Sequence, residues 1–245
     1  MNIIEKLNKK QDMYNNPPVT IAFIGDSITQ GCFEVYFKNQ TDIETVYEYA
    51  NAFPTRFREM LALLYPNVQV NVINSGISGD NVQGGLKRLQ RDVLKYQPDL
   101  VVVGFGANDC GAGEKGVELY GENLREMFQK IKATGAEVIY IMEGPLCVST
   151  SPHITDDRFI PLAESFSRLE NTGVLQSYFE RGREVATEEG VKVCDIYSTW
   201  KKLQDGGVDI TELLANKLNH PSREFHYYMA MKLIEIIFEI EGEKR

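Results

Sequence analysis

Four residues scattered along the chain are of the types that acyl transfer needs: Ser27, Gly79, Asn108 and His220. A hydroxyl becomes a nucleophile once a base takes its proton, and imidazole is suited to that exchange near neutral pH. A glycine amide and a carboxamide are fixed donors of the kind that steady a developing oxyanion. Each of the four sits in a turn. Ser27 follows Gly25-Asp26 at the end of the apolar run Val19 to Ile24, and Gly79 lies in Asn74-Ser75-Gly76-Ile77-Ser78-Gly79-Asp80. Asn108 lies in Gly104-Phe105-Gly106-Ala107-Asn108-Asp109, and His220 in Asn219-His220-Pro221-Ser222. Gly-Asp-Ser alone does not decide the matter, because Asp26, Ser27 and Thr29 are equally the residues that cap a following helix.

What brings such distant turns together is a parallel sheet. Five short apolar runs read as buried strands: Val19 to Ile24 behind Pro17-Pro18, Val68 to Ile73, Leu100 to Val103, Glu137 to Met142 and Val191 to Ile196. Amphipathic helices separate them. Asn51 reads as an N-cap ahead of Phe53, Phe57, Met60, Leu61 and Leu64, and Val82, Leu86, Leu89 and Val93 form the next face. Val117, Tyr120, Leu124, Met127, Phe128 and Ile131 follow, then Leu175, Tyr178, Phe179, Gly182, Val185 and Ala186. The last helix runs from Ser222 to about Ile240 through Phe225, Met229, Leu233, Ile236 and Ile237, and residues 2–12 form a short surface helix. This alternation predicts one domain over residues 1–245, a three-layer α/β/α sandwich around a five-stranded parallel sheet with right-handed crossovers. All carboxyl ends of such a sheet share one edge, so the turns after the first three strands must converge there. The aromatic segment 30–51, with Phe33, Tyr36, Phe37, Tyr47 and Tyr49, could wall a pocket, cover the core as a loop or join two copies in a homo-oligomer. This segment and the loop at 143–161 are expected to set substrate specificity.

Composition removes several classes of function. At 245 residues and 43% hydrophobic, the chain can bury a sizeable core. Its 26 basic and 35 acidic residues leave a net charge of -9 with no basic cluster, which speaks against nucleic acid. No stretch reaches spanning length and the first 16 residues hold no secretory apolar core, so the expectation is a cytoplasmic protein without a membrane span. Cys32, Cys110, Cys147 and Cys194 are widely spaced, which reads as reduced thiols and not as a zinc or disulfide framework.

With these residues assembled, the sequence resembles the SGNH (GDSL-type) hydrolase family. The resemblance rests on four blocks in order: Gly25-Asp26-Ser27-Ile28-Thr29, Gly79 within its turn, Gly106-Ala107-Asn108-Asp109, and His220-Pro221. It implies the flavodoxin-like SGNH fold and a GDSL-like lipase/acylhydrolase activity, in which Ser27 is the nucleophile and His220 the general base and then acid. It also implies an oxyanion hole made of the Ser27 and Gly79 amides and the Asn108 side chain. Acetylated sugars, lysophospholipids, thioesters and short acyl esters are the small-molecule ester substrates it brings in, with neither metal nor organic cofactor.

The last block departs from the family pattern. Members usually carry an Asp three residues before the histidine, and here that position is Lys217. Asn216, a backbone carbonyl, or an acid from Asp205, Asp209 or Glu212 could orient the His220 ring instead. The departure also motivates a rival reading, a catalytically weak ligand-binding protein of the same fold. A third is a flavodoxin-like domain whose Asp26 to Gly31 turn cradles a phosphate, although that leaves Asn108 and His220 without a task. Of the other histidines, His226 falls inside the final helix and reads as structural, and His153 as an exposed loop residue. Asp80 and Asp109 read as turn and cap residues.

Overall fold

A computed structural model describes residues 2–239. In chain order it runs α1 (Asn2–Lys9), β1 (Val19–Gly25), α2 (Ser27–Gln30), β2 (Cys32–Phe37), β3 (Ile43–Tyr47), α3 (Phe53–Leu64), β4 (Val70–Gly76) and α4 (Val82–Asp92). The second half continues with β5 (Leu100–Gly104), α5 (Val117–Lys132), β6 (Glu137–Met142), α6 (Ile160–Asn171), α7 (Val174–Glu188), β7 (Lys192–Asp195), α8 (Tyr197–Asp205) and α9 (Arg223–Phe238). Five strands pair in the order β4-β1-β5-β6-β7, all parallel, and β2 and β3 form a separate antiparallel hairpin.

Side-chain alternation along each strand divides the core in two. Val19, Ile21 and Phe23 of β1 join Leu100, Val102, Ile139 and Ile141 in packing against α1, α3 and α9. Ala22, Ile24, Val101, Val103, Val138 and Tyr140 point the other way, toward α4, α5 and α7. Phe23 is fully buried and meets Phe53 and Phe57 edge-on, with ring centroids 5.6 and 5.5 Å away. The chain leaves β1 for β4, then crosses back over it to β5, so the strand order reverses between β1 and β5. In sheets wound this way the crevice at that reversal is where ligands bind.

Several expected boundaries shift. The second strand of the sheet begins at Val70 and extends to Gly76, because Asn74, Ser75 and Gly76 still pair with Phe23, Ile24 and Gly25. Ala52 and not Asn51 is the N-cap of α3; the Asn51 side chain instead contacts Glu48 and Arg56. The N-terminal helix stops at Lys9, and the last helix spans Arg223–Phe238, with Ile240 outside the described residues. Segment 30–51 is not a plain covering loop but holds the β2–β3 hairpin. Within 143–161 the chain is irregular up to a short 3-10 turn at Asp157–Phe159 that leads into α6. Both α6 and α8 escape the pattern reading because they bury little, Ala163 and Glu170 in one, Tyr197 and Trp200 in the other. All four cysteines are free and buried. No helix among the described residues is long and apolar enough to cross a membrane.

Candidate active site

The turn after β1 is sharp because two backbones and a side chain crowd into it. A Cβ on Gly25 would stand 2.6 Å from the Gly104 carbonyl oxygen, so only glycine lets β1 end there. Asp26 then caps α2, its carboxylate accepting from the Ile28 amide at 2.9 Å, and Ser27 becomes the first residue of that helix with 4% of its surface exposed. Arg88 of α4, itself buried, fastens the elbow from below. Its guanidinium donates to the carbonyls of Gly25 (2.9 Å) and Ser75 (2.5 Å) and to Asp80 (2.7 Å).

His220 lies against this elbow. Its Nε2 is 3.0 Å from Ser27 Oγ, and its Nδ1 is 2.8 Å from the carbonyl oxygen of Phe33 in β2. A carbonyl can only accept, so Nδ1 carries the hydrogen and the Nε2 lone pair is left to accept from the Ser27 hydroxyl. Burial lowers the His220 pKa to about 4, opposed by the Phe33 carbonyl and by the charge of Glu34.

The turn that presents His220 is built by Asn216. Its side-chain oxygen accepts from the amides of Leu218 (3.0 Å), Asn219 (2.9 Å) and His220 (3.0 Å), so Asn216 holds the backbone and leaves the ring to Phe33. Lys217 adopts a left-handed conformation, φ 58°, and pairs with Glu212 at 3.2 Å. Asp209 caps the amide of Thr211, and Asp205 is exposed. Of the groups the sequence left open for the ring, the occupant is therefore a backbone carbonyl.

The other two residues join through short bonds. The Ser78 amide donates to Gln30 Oε1 of α2 at 2.6 Å, and the Asp80 carbonyl accepts from Asn108 Nδ2 at 2.8 Å, which brackets Gly79 (φ 77°) between the two turns. Asn108 Nδ2 also reaches Asp26 Oδ2 at 3.2 Å, linking it to the elbow of Ser27. Among the described residues the amides of Ser27 and Gly79 have no hydrogen-bond partner. A cleft of about 300 Å³ opens beside Asn108, lined among others by Asn81, Gln83, Asp109, Asn123 and Tyr178.

Carboxyl groups crowd beneath the elbow. Burial raises the Asp26 pKa to about 7, with the charges of Asp109 and Asp80 adding to it, and burial raises that of Asp109 to about 6. Glu143, just past β6, meets Asp26 and accepts from Thr29 Oγ1 at 2.5 Å; burial and the neighbouring Asp26 push its pKa well up. Asp80 and Asp109 do serve as turn and cap groups, accepting from the amides of Asn81 and Val82. Pattern reading passed over Glu143 and Arg88, and singled out Phe33 for its ring and not for its carbonyl. The first two carried a usable signal, an acid or a base inside an otherwise apolar stretch or face, whereas a backbone carbonyl carries none. His226 is fully buried in α9, where Nδ1 accepts from the Phe53 amide at 3.1 Å, and His153 is exposed.

Fold and site together define a doubly wound α/β protein with a serine–histidine pair at the carboxyl edge of its sheet. The chain belongs to the GDSL-like lipase/acylhydrolase family, whose model matches residues 23–227. It is 41% identical over 80 residues to an arylesterase of Vibrio mimicus, a match covering 32% of this chain and 38% of that protein. The matched stretches thus span only about two fifths or less of the curated relatives. Among solved structures it resembles an acetylxylan esterase of Geobacillus stearothermophilus, with TM-score 0.65, 20% identity, and 93% of this chain and 97% of the other covered. It also resembles a lipase/acylhydrolase of Enterococcus faecalis, with TM-score 0.63, 25% identity, and 89% and 95% covered.

Proposed function

We propose that this protein is a serine esterase that hydrolyses a carboxylic ester through an acyl-enzyme. The observation that carries the reading is the 3.0 Å approach of Ser27 Oγ to a His220 Nε2 whose lone pair faces it. Ser27 Oγ attacks the ester carbonyl carbon while its proton passes to His220 Nε2, giving a tetrahedral oxyanion. His220 then returns that proton to the departing alcohol oxygen, and the acyl group stays on Ser27. A water, deprotonated by the same nitrogen, attacks the acyl carbon, and the proton goes back to Ser27 as the acid leaves. Nδ1–H remains on the Phe33 carbonyl throughout, fixing the tautomer much as a carboxylate does in a serine–histidine–aspartate triad.

The oxyanion takes the Ser27 and Gly79 amides, which have no other partner among the described residues, and the Asn108 side chain. For Asn108 this means exchanging its longer bond, the 3.2 Å contact with Asp26, for the substrate oxygen. A short acyl group on a polar alcohol, such as an acetylated sugar, is the substrate class favoured by the likeness to the acetylxylan esterase of Geobacillus stearothermophilus. The binding-protein reading drew its force from Lys217, and a carbonyl in the orienting role supports the enzyme over it. The test is hydrolysis of a p-nitrophenyl ester series by wild type, Ser27→Ala and His220→Ala, with fluorophosphonate labelling of Ser27. Short-chain esters should turn over fastest and both variants should lose activity; equal rates in all three would end the proposal.

A further inference from the structure

The carbonyl that holds His220 belongs to a piece of structure with little support of its own. The β2–β3 hairpin lies outside the main sheet, and two strands alone are marginal in water. Its register slips between Cys32, opposite Tyr47, and Val35, opposite Thr45, so that Phe33 and Glu34 face the single residue Val46. A bulge of this kind releases a residue from the ladder and re-aims it. Here it turns the Phe33 carbonyl toward the His220 ring, 2.8 Å away.

One side chain grips both strands at that end. Arg223, three residues past His220 at the start of α9, donates through Nη1 and Nη2 to the two carboxylate oxygens of Glu34, at 2.7 and 3.0 Å. Through Nε it donates to Glu48 at 2.9 Å, with Nη2 on the second Glu48 oxygen, and its guanidinium carbon lies 4.5 Å from the centre of the Phe33 ring. Glu34 is inside the bulge and Glu48 directly follows β3, so the guanidinium spans the hairpin on either side of Phe33. The far end has its own anchors. Arg158 lies over the Phe37 ring at 3.8 Å and donates to the Asn39 carbonyl at 2.7 Å.

We propose that Arg223 is a positioning residue for His220: by clamping Glu34 and Glu48 it fixes the bulge that offers the Phe33 carbonyl to Nδ1. The inference rests on the proposed serine–histidine mechanism and deepens it. The clamp takes over the orienting function that the family assigns to an acid near the histidine, and it does so by way of a carbonyl in the distant β2–β3 hairpin. The charge acting on His220 is that of Glu34 from the hairpin, and in α9 the neighbouring His226 feels both His220 and Arg223, with Glu48 neutralising Arg223.

The test compares Arg223→Ala, Arg223→Lys and Glu48→Gln with wild type in kcat, KM and the pH profile of kcat/KM on one p-nitrophenyl ester, with far-UV circular dichroism to follow the fold. Releasing the hairpin lets water reach His220 and leaves Glu34 without its cation, and both raise the pKa of the ring. Arg223→Ala should therefore lower kcat by about 10- to 100-fold with little change in KM, and move the acid limb of kcat/KM upward toward the free-imidazole value. Arg223→Lys, which keeps the charge but not the double fork, should restore part of kcat. Glu48→Gln gives up one side of the clamp but leaves Arg223 on Glu34, so it should lower kcat by less and move the limb little. That variant and the lysine variant settle the question if the alanine variant does not fold. Profiles identical to wild type in these variants, in a protein whose hydrolysis is abolished by Ser27→Ala, would overturn the clamp and leave the esterase standing. Wild-type hydrolysis that survives Ser27→Ala would bring down both.

Discussion

Burial at His220 sets the lower end of the pH range in which the proposed base can work. A folded-state pKa of about 4, against 6.5 for free imidazole, keeps the ring neutral, and so able to accept a proton, across the whole interval between them. The acid limb of kcat/KM should accordingly lie well below pH 6.5, near 4, as read from initial rates on a neutral ester. A limb at 6.5 or above would mean a solvated ring. The same shift contributes stability that is complete above pH 6.5 and is lost as pH falls through 4, since the unfolded histidine takes up a proton that the folded one refuses. Asn108→Ala should lower kcat by about 10² to 10³, with fluorophosphonate labelling of Ser27 slowed in parallel; an unchanged labelling rate would remove Asn108 from the oxyanion site. At this scale residue type was the guide. Ser27, Asn108 and His220 are conspicuous because their side chains are of the types acyl transfer needs and each stands at a strand or helix end. Phe33 is invisible because what it offers, a carbonyl oxygen, every residue has.

Two short elements govern whether those side chains meet, and neither announces itself by hydrophobic period. The hairpin lacks the Asn-Gly or Asp-Gly turn that usually betrays one. Its tip, Lys38 to Asp42, is organised by Asn39, whose side-chain oxygen accepts from the amides of Thr41 and Asp42 at 2.9 and 2.8 Å. The bulge at Phe33–Glu34 also interrupts the alternation that would otherwise mark β2. Around His220 two of the groups left open for the ring take part: a backbone carbonyl, that of Phe33, holds it, while Asn216 gathers three amides and shapes the turn. Asn216→Ala leaves those amides without their acceptor. It should cost about 1–3 kcal/mol in chemical denaturation and lower kcat as His220 drifts from Ser27. Stability and kcat both equal to wild type would show the turn to be held by other contacts. The α-helices that build the two faces of the sheet were legible for the opposite reason, their apolar stripes being long and buried, as in α5, where Tyr120, Leu124, Met127, Phe128 and Ile131 all lie inside.

Over the whole molecule, the sheet that makes the site also buries acids beneath it, and these work against the histidines. Asp26, at about 7, and Glu143, pushed well up, hold protons that the unfolded chain has released by about pH 4. Between those values the folded state binds more protons than the unfolded one, so their contribution to stability falls as pH rises through the window, opposite in sign to that of His220. Glu143→Gln separates the two. A glutamine can still accept from Thr29 through its oxygen and can donate to Asp26 through its amide, so the packing under the elbow is kept while one buried carboxyl and its repulsion disappear. The proton that burial and Asp26 keep on Glu143 in the folded protein, and that the unfolded chain gives up, is then no longer a cost at high pH. Each pKa unit by which Glu143 stands above its unfolded value is worth about 1.4 kcal/mol at a pH above both values, or about 3–5 °C in Tm for a chain of this length. The variant should melt higher than wild type at pH 8, with the gain shrinking toward nothing at pH 4.5, where both carboxyls are protonated in the folded wild type. A thermal melting series across that interval reads it directly. A gain that stays constant with pH would mean that the acids under the elbow do not titrate there, and that the cost of placing Ser27 above them is met by packing alone.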